Sequence, residues 1–173
     1  MSDGPVESIA WGVLEGAYGS AEEVGVLLDL IESGEDVWGD LVGQVLHQGS
    51  VYSATAPAIS VVIGFLERGT LSKRPSQRTW AFVFLSAAAS SATESAKATP
   101  LASEVFEALR EGCELYDVGL TDQEVEVRLA SAAIWKTAAD DRAHAFASVA
   151  KRYEHETESD VRVTMLSALN DLA

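Results

Sequence analysis

Hydrophobic residues recur every three or four positions along most of the chain, and no stretch shows the strict alternation that indicates a β-strand. This spacing predicts an all-α protein of about nine helices that stack as antiparallel pairs. The predicted helices cover residues 6–18, 20–32, 35–47, 50–67, 77–92, 101–116, 122–138, 140–155 and 160–172.

Glycine and proline mark several of the predicted boundaries. Gly34 follows the second helix at a position that favours a left-handed backbone, and Gly49 follows the third. Pro57 falls inside the fourth predicted helix, so we expect a kink or a break near residues 54–57. The basic segment of residues 68–76 combines glycine, proline and serine, which predicts a loop.

An internal repeat lies near the C-terminal end. Residues 126–128 (Glu-Val-Arg) recur as residues 160–162 (Asp-Val-Arg), 34 positions later. Each copy follows a Thr-x-x-acid pattern that predicts a capping box, formed by Thr121 with Glu124 and by Thr157 with Asp160. One helix pair per ~35–45 residues is the period of an α-solenoid.

The repeat resembles the HEAT-repeat family, in which the second helix of each repeat opens with an acidic residue, then Val-Arg, then positions rich in Ala and Leu. The resemblance is clearest over residues 121–173. It implies a right-handed α-solenoid that forms a single HEAT-like domain over residues 1–173. Residues 1–67 would be acidic N-terminal helices that form a divergent cap, residues 68–76 a loop, and residues 77–173 the repeats.

The resemblance also implies roles for four residues of the repeat. Val127 and Val161 would belong to the core, and Arg128 and Arg162 would form a polar ladder with acidic residues of neighbouring repeats. Upstream the pattern is weaker, because Arg78 follows a glutamine instead of a valine. The number of repeats is therefore left open.

Charge is distributed unevenly along the chain. Twelve Lys and Arg face 27 Asp and Glu, which gives a net charge of −15 and argues against nucleic-acid binding or docking on anionic lipid as the main task. Residues 1–67 hold eleven acidic residues and no Lys or Arg, so they carry −11, and the rest carries −4. This asymmetry predicts a docking face for a basic protein, and a merely solvated face is the alternative.

The longest uncharged run, residues 41–66, contains too many polar residues for a membrane span. The first residues lack the basic and apolar regions of a secretory signal, so we expect a cytoplasmic protein without membrane contact.

No sequence motif points to catalysis, a cofactor or a metal site. The chain lacks the phosphate-binding, zinc-protease, serine-hydrolase and dinucleotide motifs. His47, His144 and His155 are widely separated, and Cys113 is the one cysteine. We therefore expect a protein that is not an enzyme and that needs neither cofactor nor metal.

The most unusual polar cluster is residues 47–55 (HQGSVYSAT). It allows three interpretations: polar side chains that tie down a turn, a recognition surface, or an active site in which His47 is the base and Ser50 or Ser53 the nucleophile. Among the four tryptophans, Trp38 is the one we expect to be exposed, since acidic residues flank it.

These observations favour a non-enzymatic protein-interaction module, and specifically an inhibitor or immunity-type protein that masks a basic partner with an acidic face. Trp38 and Tyr52 would be its aromatic anchors. The alternatives are a lyase-like enzyme with a site around His47 and Tyr52, as found in some HEAT-like solenoids, and a homo-oligomeric scaffold. The candidate partner-binding residues are Glu22, Glu23, Asp29, Glu35, Asp36, Trp38, Asp40, His47, Gln48 and Tyr52.

Overall fold

Helices account for most of the structure, a computed structural model that describes residue 6 and residues 8–95, 99–139 and 141–173. The predicted all-α class is confirmed, with nine α-helices among the described residues. They are α1 (Glu22–Ser33), α2 (Trp38–Val45), α3 (Thr55–Glu67), α4 (Pro75–Ser95), α5 (Pro100–Arg110), α6 (Cys113–Gly119), α7 (Val125–Ala138), α8 (Arg142–Tyr153) and α9 (Ser159–Leu172). No helix in these ranges has the length and apolarity needed to cross a membrane.

The prediction of a first helix over residues 6–18 is wrong. This segment instead forms a 3₁₀ turn at Trp11–Val13 and a two-stranded antiparallel hairpin, β1 (Glu15–Gly16) with β2 (Gly19–Ser20). Gly12 and Gly16, inside the predicted helix, each weaken a helix by about 1 kcal/mol. A tertiary contact then fixes the turn, because the Trp11 ring packs directly on Gly25, where a Cβ atom would lie 2.6 Å from the ring.

Two other predicted helices are interrupted or divided. α3 begins at Thr55, which is the break expected near residues 54–57, and Pro57 lies in its first turn, where a missing N–H removes no helical hydrogen bond. The predicted helix over residues 101–116 is divided into α5 and α6 near Gly112. The Tyr116 hydroxyl donates to Leu109 O at 2.7 Å and lies so close to Gly112 that a Cβ atom there would clash with it.

The helices pack in a consistent order from α3 onward. α3 contacts α4 and α5, α4 contacts α5 and α7, and α7 contacts α6 and α9. α8 packs on α9, and α1 packs on α2 and α3. The longer helices α4, α7 and α9 are therefore neighbours in that order, and their shared core includes the fully buried Phe84, Leu85, Val127 and Val161.

Three arginines occupy equivalent positions in the first turns of α4, α7 and α9, and we call Arg78, Arg128 and Arg162 the arginine row. Arg78 forms a two-pronged ion pair with Asp122, one prong of which measures 2.8 Å, and Arg128 does the same with Glu156 at 2.7 and 3.1 Å. In each case the acid belongs to the loop before the next of these helices.

The same two acids also contact the arginine that follows them in sequence. Arg128 Nη1 donates to Asp122 O, and Arg162 Nη1 donates to Glu156 O, both at 2.9 Å. Arg and acid are six positions apart in both copies. The repeat seen in the sequence thus corresponds to a repeated set of hydrogen bonds.

The predicted capping boxes are wrong, because neither helix start has a side-chain cap, and Asp122 and Glu156 instead bind N–H groups of the residues just before α7 and α9. The Thr121 hydroxyl donates to Val118 O, and the N–H of Glu124 is bound by Asp122 Oδ1 at 2.9 Å. At α9, Glu156 Oε1 accepts the N–H groups of the next two residues at 2.9 and 3.0 Å. A carboxylate already held by an arginine is fixed in position and can accept these N–H groups without further ordering.

Candidate partner-binding surface

One side of α1 is buried and the opposite side is open to solvent. Val24, Leu28 and Ile31 are completely buried, as the amphipathic spacing predicts. The remaining arc carries the exposed residues Glu22, Glu23, Val26, Asp29, Leu30 and Ser33, which together we call the α1 face.

The α1 face mixes carboxylates with exposed apolar side chains. Val26 is 57% exposed and Leu30 is 37% exposed. In the segment that precedes α1, Val13 of the 3₁₀ turn and Tyr18 of the hairpin are also exposed. Large apolar side chains among charges are typical of surfaces that bind other proteins.

α2 extends this surface. Gln44 of α2 donates to Glu23 Oε2 at 2.7 Å, so the exposed sides of the two helices lie next to each other. Asp40 is exposed in the first turn of α2. A Cβ atom at Gly39 or Gly43 would meet nothing within 4 Å, so the surface of α2 at these positions is open.

Most carboxylates on this surface have no counterion. In the part of the chain that the structure describes, Glu22, Asp29, Glu35, Asp36 and Asp40 form no ion pair. Their charge therefore faces solvent unneutralised.

The nearest basic residues contact the C-terminal end of α1 and do not contact the α1 face. Arg74 donates to the carbonyl oxygens of Glu32 and Ser33 at 3.1 and 2.9 Å. Arg68 lies 3.7 Å from the Glu32 carboxylate. Cations are favourable at a helix C-terminus, and Gly34 ends α1 there with a φ of 108°, as predicted.

The expectation that Trp38 is exposed is wrong. Its side chain is 2% exposed, and its Nε1 donates to Gln77 Oε1 at 2.5 Å inside the protein. The flanking acids point outward, while Trp38 shares the buried side of α2 with Leu41 and Val45. Trp38 is therefore not available as an anchor, whereas Tyr18, which sequence reasoning missed, is 69% exposed.

Several side chains of the polar cluster of residues 47–55 form hydrogen bonds with backbone groups of neighbouring segments. Ser53 Oγ accepts the N–H of Glu15 at 2.7 Å, which holds the hairpin against this turn. The buried Thr55 hydroxyl donates to Val45 O at 2.7 Å and accepts the N–H of Tyr52 at 2.9 Å. These contacts satisfy backbone groups and match the first of the three interpretations.

His47 has no serine partner. Its Nδ1 lies 3.1 Å from the Tyr18 hydroxyl, with the two rings 5.3 Å apart. Among the described residues no hydrogen bond joins the His47 ring to the hydroxyl of Ser50 or Ser53, so the geometry of an activated serine is missing. Gln48 beside it is exposed and adopts a φ of 53°, which is unusual for a residue with a side chain.

The described ranges contain no group of three or more His, Cys, Asp or Glu side chains placed to hold a metal ion.

Comparison with protein-family models, with curated proteins and with solved structures finds no match for the chain. The interpretation of the surface on α1 and α2 therefore depends on its own contacts, exposure and charge.

Proposed function

We propose that this chain is a non-enzymatic protein-interaction module that masks a basic partner with the surface formed by α1 and α2. The observation that carries the proposal is the α1 face, where Val26 and Leu30 are exposed among carboxylates without counterions. Apolar contacts of this kind supply affinity, while the surrounding charge steers a basic protein and selects against acidic ones.

Tyr18, Val26 and Leu30 replace Trp38 as anchors, since these side chains are exposed and Trp38 is not. Tyr52, the other aromatic anchor that we expected, is half-buried. Glu22, Glu23, Asp29 and Asp40 would take the place of an anionic ligand of the partner, which is how an inhibitor or immunity-type protein blocks a basic site. A cytoplasmic location is part of this proposal.

We further propose that the architecture is a right-handed, HEAT-like α-solenoid. Two features support it: the order of contacts among α4, α7 and α9, and the ion pairs of Arg78 and Arg128 with acids of the following helix pair. These pairs are what a polar ladder of the kind implied by the family resemblance would contain. An experimental structure that showed these helices crossing without a common direction would contradict it.

Binding experiments with matched charge variants test the function. The immobilised chain is compared with a Glu22→Gln, Glu23→Gln, Asp29→Asn variant and with a control, Glu104→Gln, Glu107→Gln, Glu111→Gln. The control removes the same charge from exposed positions on α5 and at the residue that follows it. We expect basic proteins retained at low salt to be lost at high salt and lost from the α1 variant but kept by the α5 control.

The size of the effect follows from the strength of exposed ion pairs. Each contributes roughly 0.2–1 kcal/mol, so three neutralised carboxylates should weaken binding roughly 3- to 150-fold. A Val26→Ser, Leu30→Ser variant should weaken binding without changing its salt dependence. An acidic partner, affinity that ignores salt, or equal loss in the α5 control would contradict the proposal.

The alternatives have less support. A lyase-like site around His47 and Tyr52 would need an acid and a base directed at a common point, and His47 instead contacts Tyr18. A homo-oligomeric scaffold is tested by the mass of the purified chain in solution.

A further inference from the structure

Almost every arginine and lysine in the described part of the chain already has a hydrogen-bond or electrostatic partner. Each arginine and Lys136 takes part in a hydrogen bond, an ion pair or another electrostatic contact. Among the described residues only Lys73 and Lys151 have no such partner. Lys73 lies in an exposed loop, whereas Lys151 lines a cavity.

This cavity, of about 300 Å³, lies between the end of α6 and one face of α8. Ser148, Lys151 and Arg152 are three and four positions apart on α8, so they face the same side, and His155 follows just beyond the helix end. Thr121 lines the opposite wall.

The donors of the cavity are largely uncommitted. Within the described chain the side chains of Ser148, Lys151 and His155 have no hydrogen-bond or ion-pair partner. Arg152 reaches Glu156 with Nη2 at 3.3 Å, but its buried Nε has no partner. Two permanent cations, an imidazole and a hydroxyl therefore surround one space.

The carboxylate in the lining, Asp117, is partly compensated. Its Oδ2 lies 2.8 Å from His144 Nε2, and its Oδ1 is buried without a partner. A ligand that satisfies this cavity would thus present an anion toward α8 and a hydroxyl donor toward α6.

We propose that the cavity between α6 and α8 binds a small hydroxylated phosphomonoester, with the phosphate on Lys151, Arg152 and His155. A phosphate carries nearly two charges near neutral pH and several strong acceptor oxygens, which suits a group of separate donors better than a single carboxylate does. The rest of this acidic chain repels anions, so binding requires the local donors of the cavity.

Calorimetric titration with glycerol 3-phosphate, at constant ionic strength, tests the proposal. We expect saturable 1:1 binding to the full chain, weakened roughly tenfold or more by Lys151→Ala and by His155→Ala, since bonds to charged groups are strong. Lys73→Ala is the matched control, because it removes the other unpartnered lysine, and it should leave the affinity unchanged.

Glycerol and acetate serve as comparison ligands, and circular dichroism verifies that each variant is folded. Amide shifts in NMR spectra should change around Ser148 and Lys151 on addition of glycerol 3-phosphate. The absence of saturable binding, equal affinity for acetate, equal weakening by Lys73→Ala, or shifts confined to other regions would each overturn the proposal.

Discussion

Replacing Glu156 with glutamine should destabilise the protein far more than neutralising an exposed carboxylate. Glu156 is almost completely buried, and its two oxygens accept hydrogen bonds from Arg128 at 2.7 and 3.1 Å. It also contacts Arg152 and accepts the N–H groups of Thr157 and Glu158, which lead into α9. Glutamine keeps the shape but leaves the Arg128 guanidinium inside the protein without a counterion.

Two considerations give the magnitude of the expected loss in unfolding free energy. Removing one member of a buried ion pair costs about 3–5 kcal/mol. Independently, burial acts to raise the pKa of Glu156, but the hydrogen bonds from Arg128 and from the N–H groups of Glu158 and Thr157 outweigh it and lower the pKa from 4.5 to about 2. That difference corresponds to about 3 kcal/mol of stability.

The pKa difference also fixes the direction of the pH dependence. Because the carboxylate in the folded protein holds its proton less tightly than in the unfolded chain, acid protonates the unfolded chain first. The stabilisation by Glu156 is complete above pH 4.5 and is lost as the pH falls to about 2.

Urea unfolding, followed by circular dichroism and tryptophan fluorescence, measures both effects. Glu154→Gln is the control, because Glu154 is exposed and near the same helix end. At about pH 7 we expect Glu156→Gln to lose about 3–5 kcal/mol of unfolding free energy and the control about 0.5 kcal/mol or less. Toward pH ~2 the difference between wild type and Glu156→Gln should shrink. Equal losses in the two variants, or a difference that does not shrink, would refute the reasoning.

Three further predictions concern single contacts. Gly34→Ala should cost about 1–2 kcal/mol in urea unfolding, because the backbone is left-handed there, whereas Gly39→Ala, within α2 and facing open space, should gain about 0.5–1 kcal/mol; similar signs would contradict this. Trp38→Phe should cost about 1–3 kcal/mol by leaving the buried Gln77 oxygen without its donor, and adding Gln77→Leu should recover part of the loss if that bond is the cause. Burial raises the pKa of Tyr116, so in an alkaline absorbance titration one of the four tyrosines should ionise only on unfolding, and Tyr116→Phe should abolish that late step.

The helical class and several local features could be predicted from the sequence because they depend on short-range periodicity. Gly34 ends α1 as expected, and Val127 and Val161 are completely buried at the equivalent positions of the repeat. Helix spacing and a left-handed end position are properties of neighbouring residues, so the sequence expresses them directly.

Features decided by tertiary contacts could not be predicted in this way. Trp38 lies between two acids in sequence, yet the helical period turns it toward Gln77 in the interior. The segment around Trp11 forms a turn because its ring packs on Gly25, a residue of the next helix. In both cases the contact that decides the structure lies far away along the chain.

The sequence analysis missed the acids that pair with the arginine row for a different reason. The capping pattern directed attention to Glu124 and Asp160, whereas Asp122 and Glu156 bind the arginines. A signal was present, since an acid stands six positions before the arginine in both copies. On the proposed binding surface, the acids could be named from the sequence, but the exposed apolar side chains could be identified only from the structure.

The shared use of Glu156 has a mechanical consequence. Separating α8 and α9 from α7 would break the ion pair between Arg128, in α7, and Glu156, and would leave Arg128 without its counterion. Fraying at this end is therefore penalised by a residue that belongs to the preceding helix pair. Amide protons in α7 and α9 should accordingly exchange with solvent as one cooperative unit instead of being released helix by helix from the terminus.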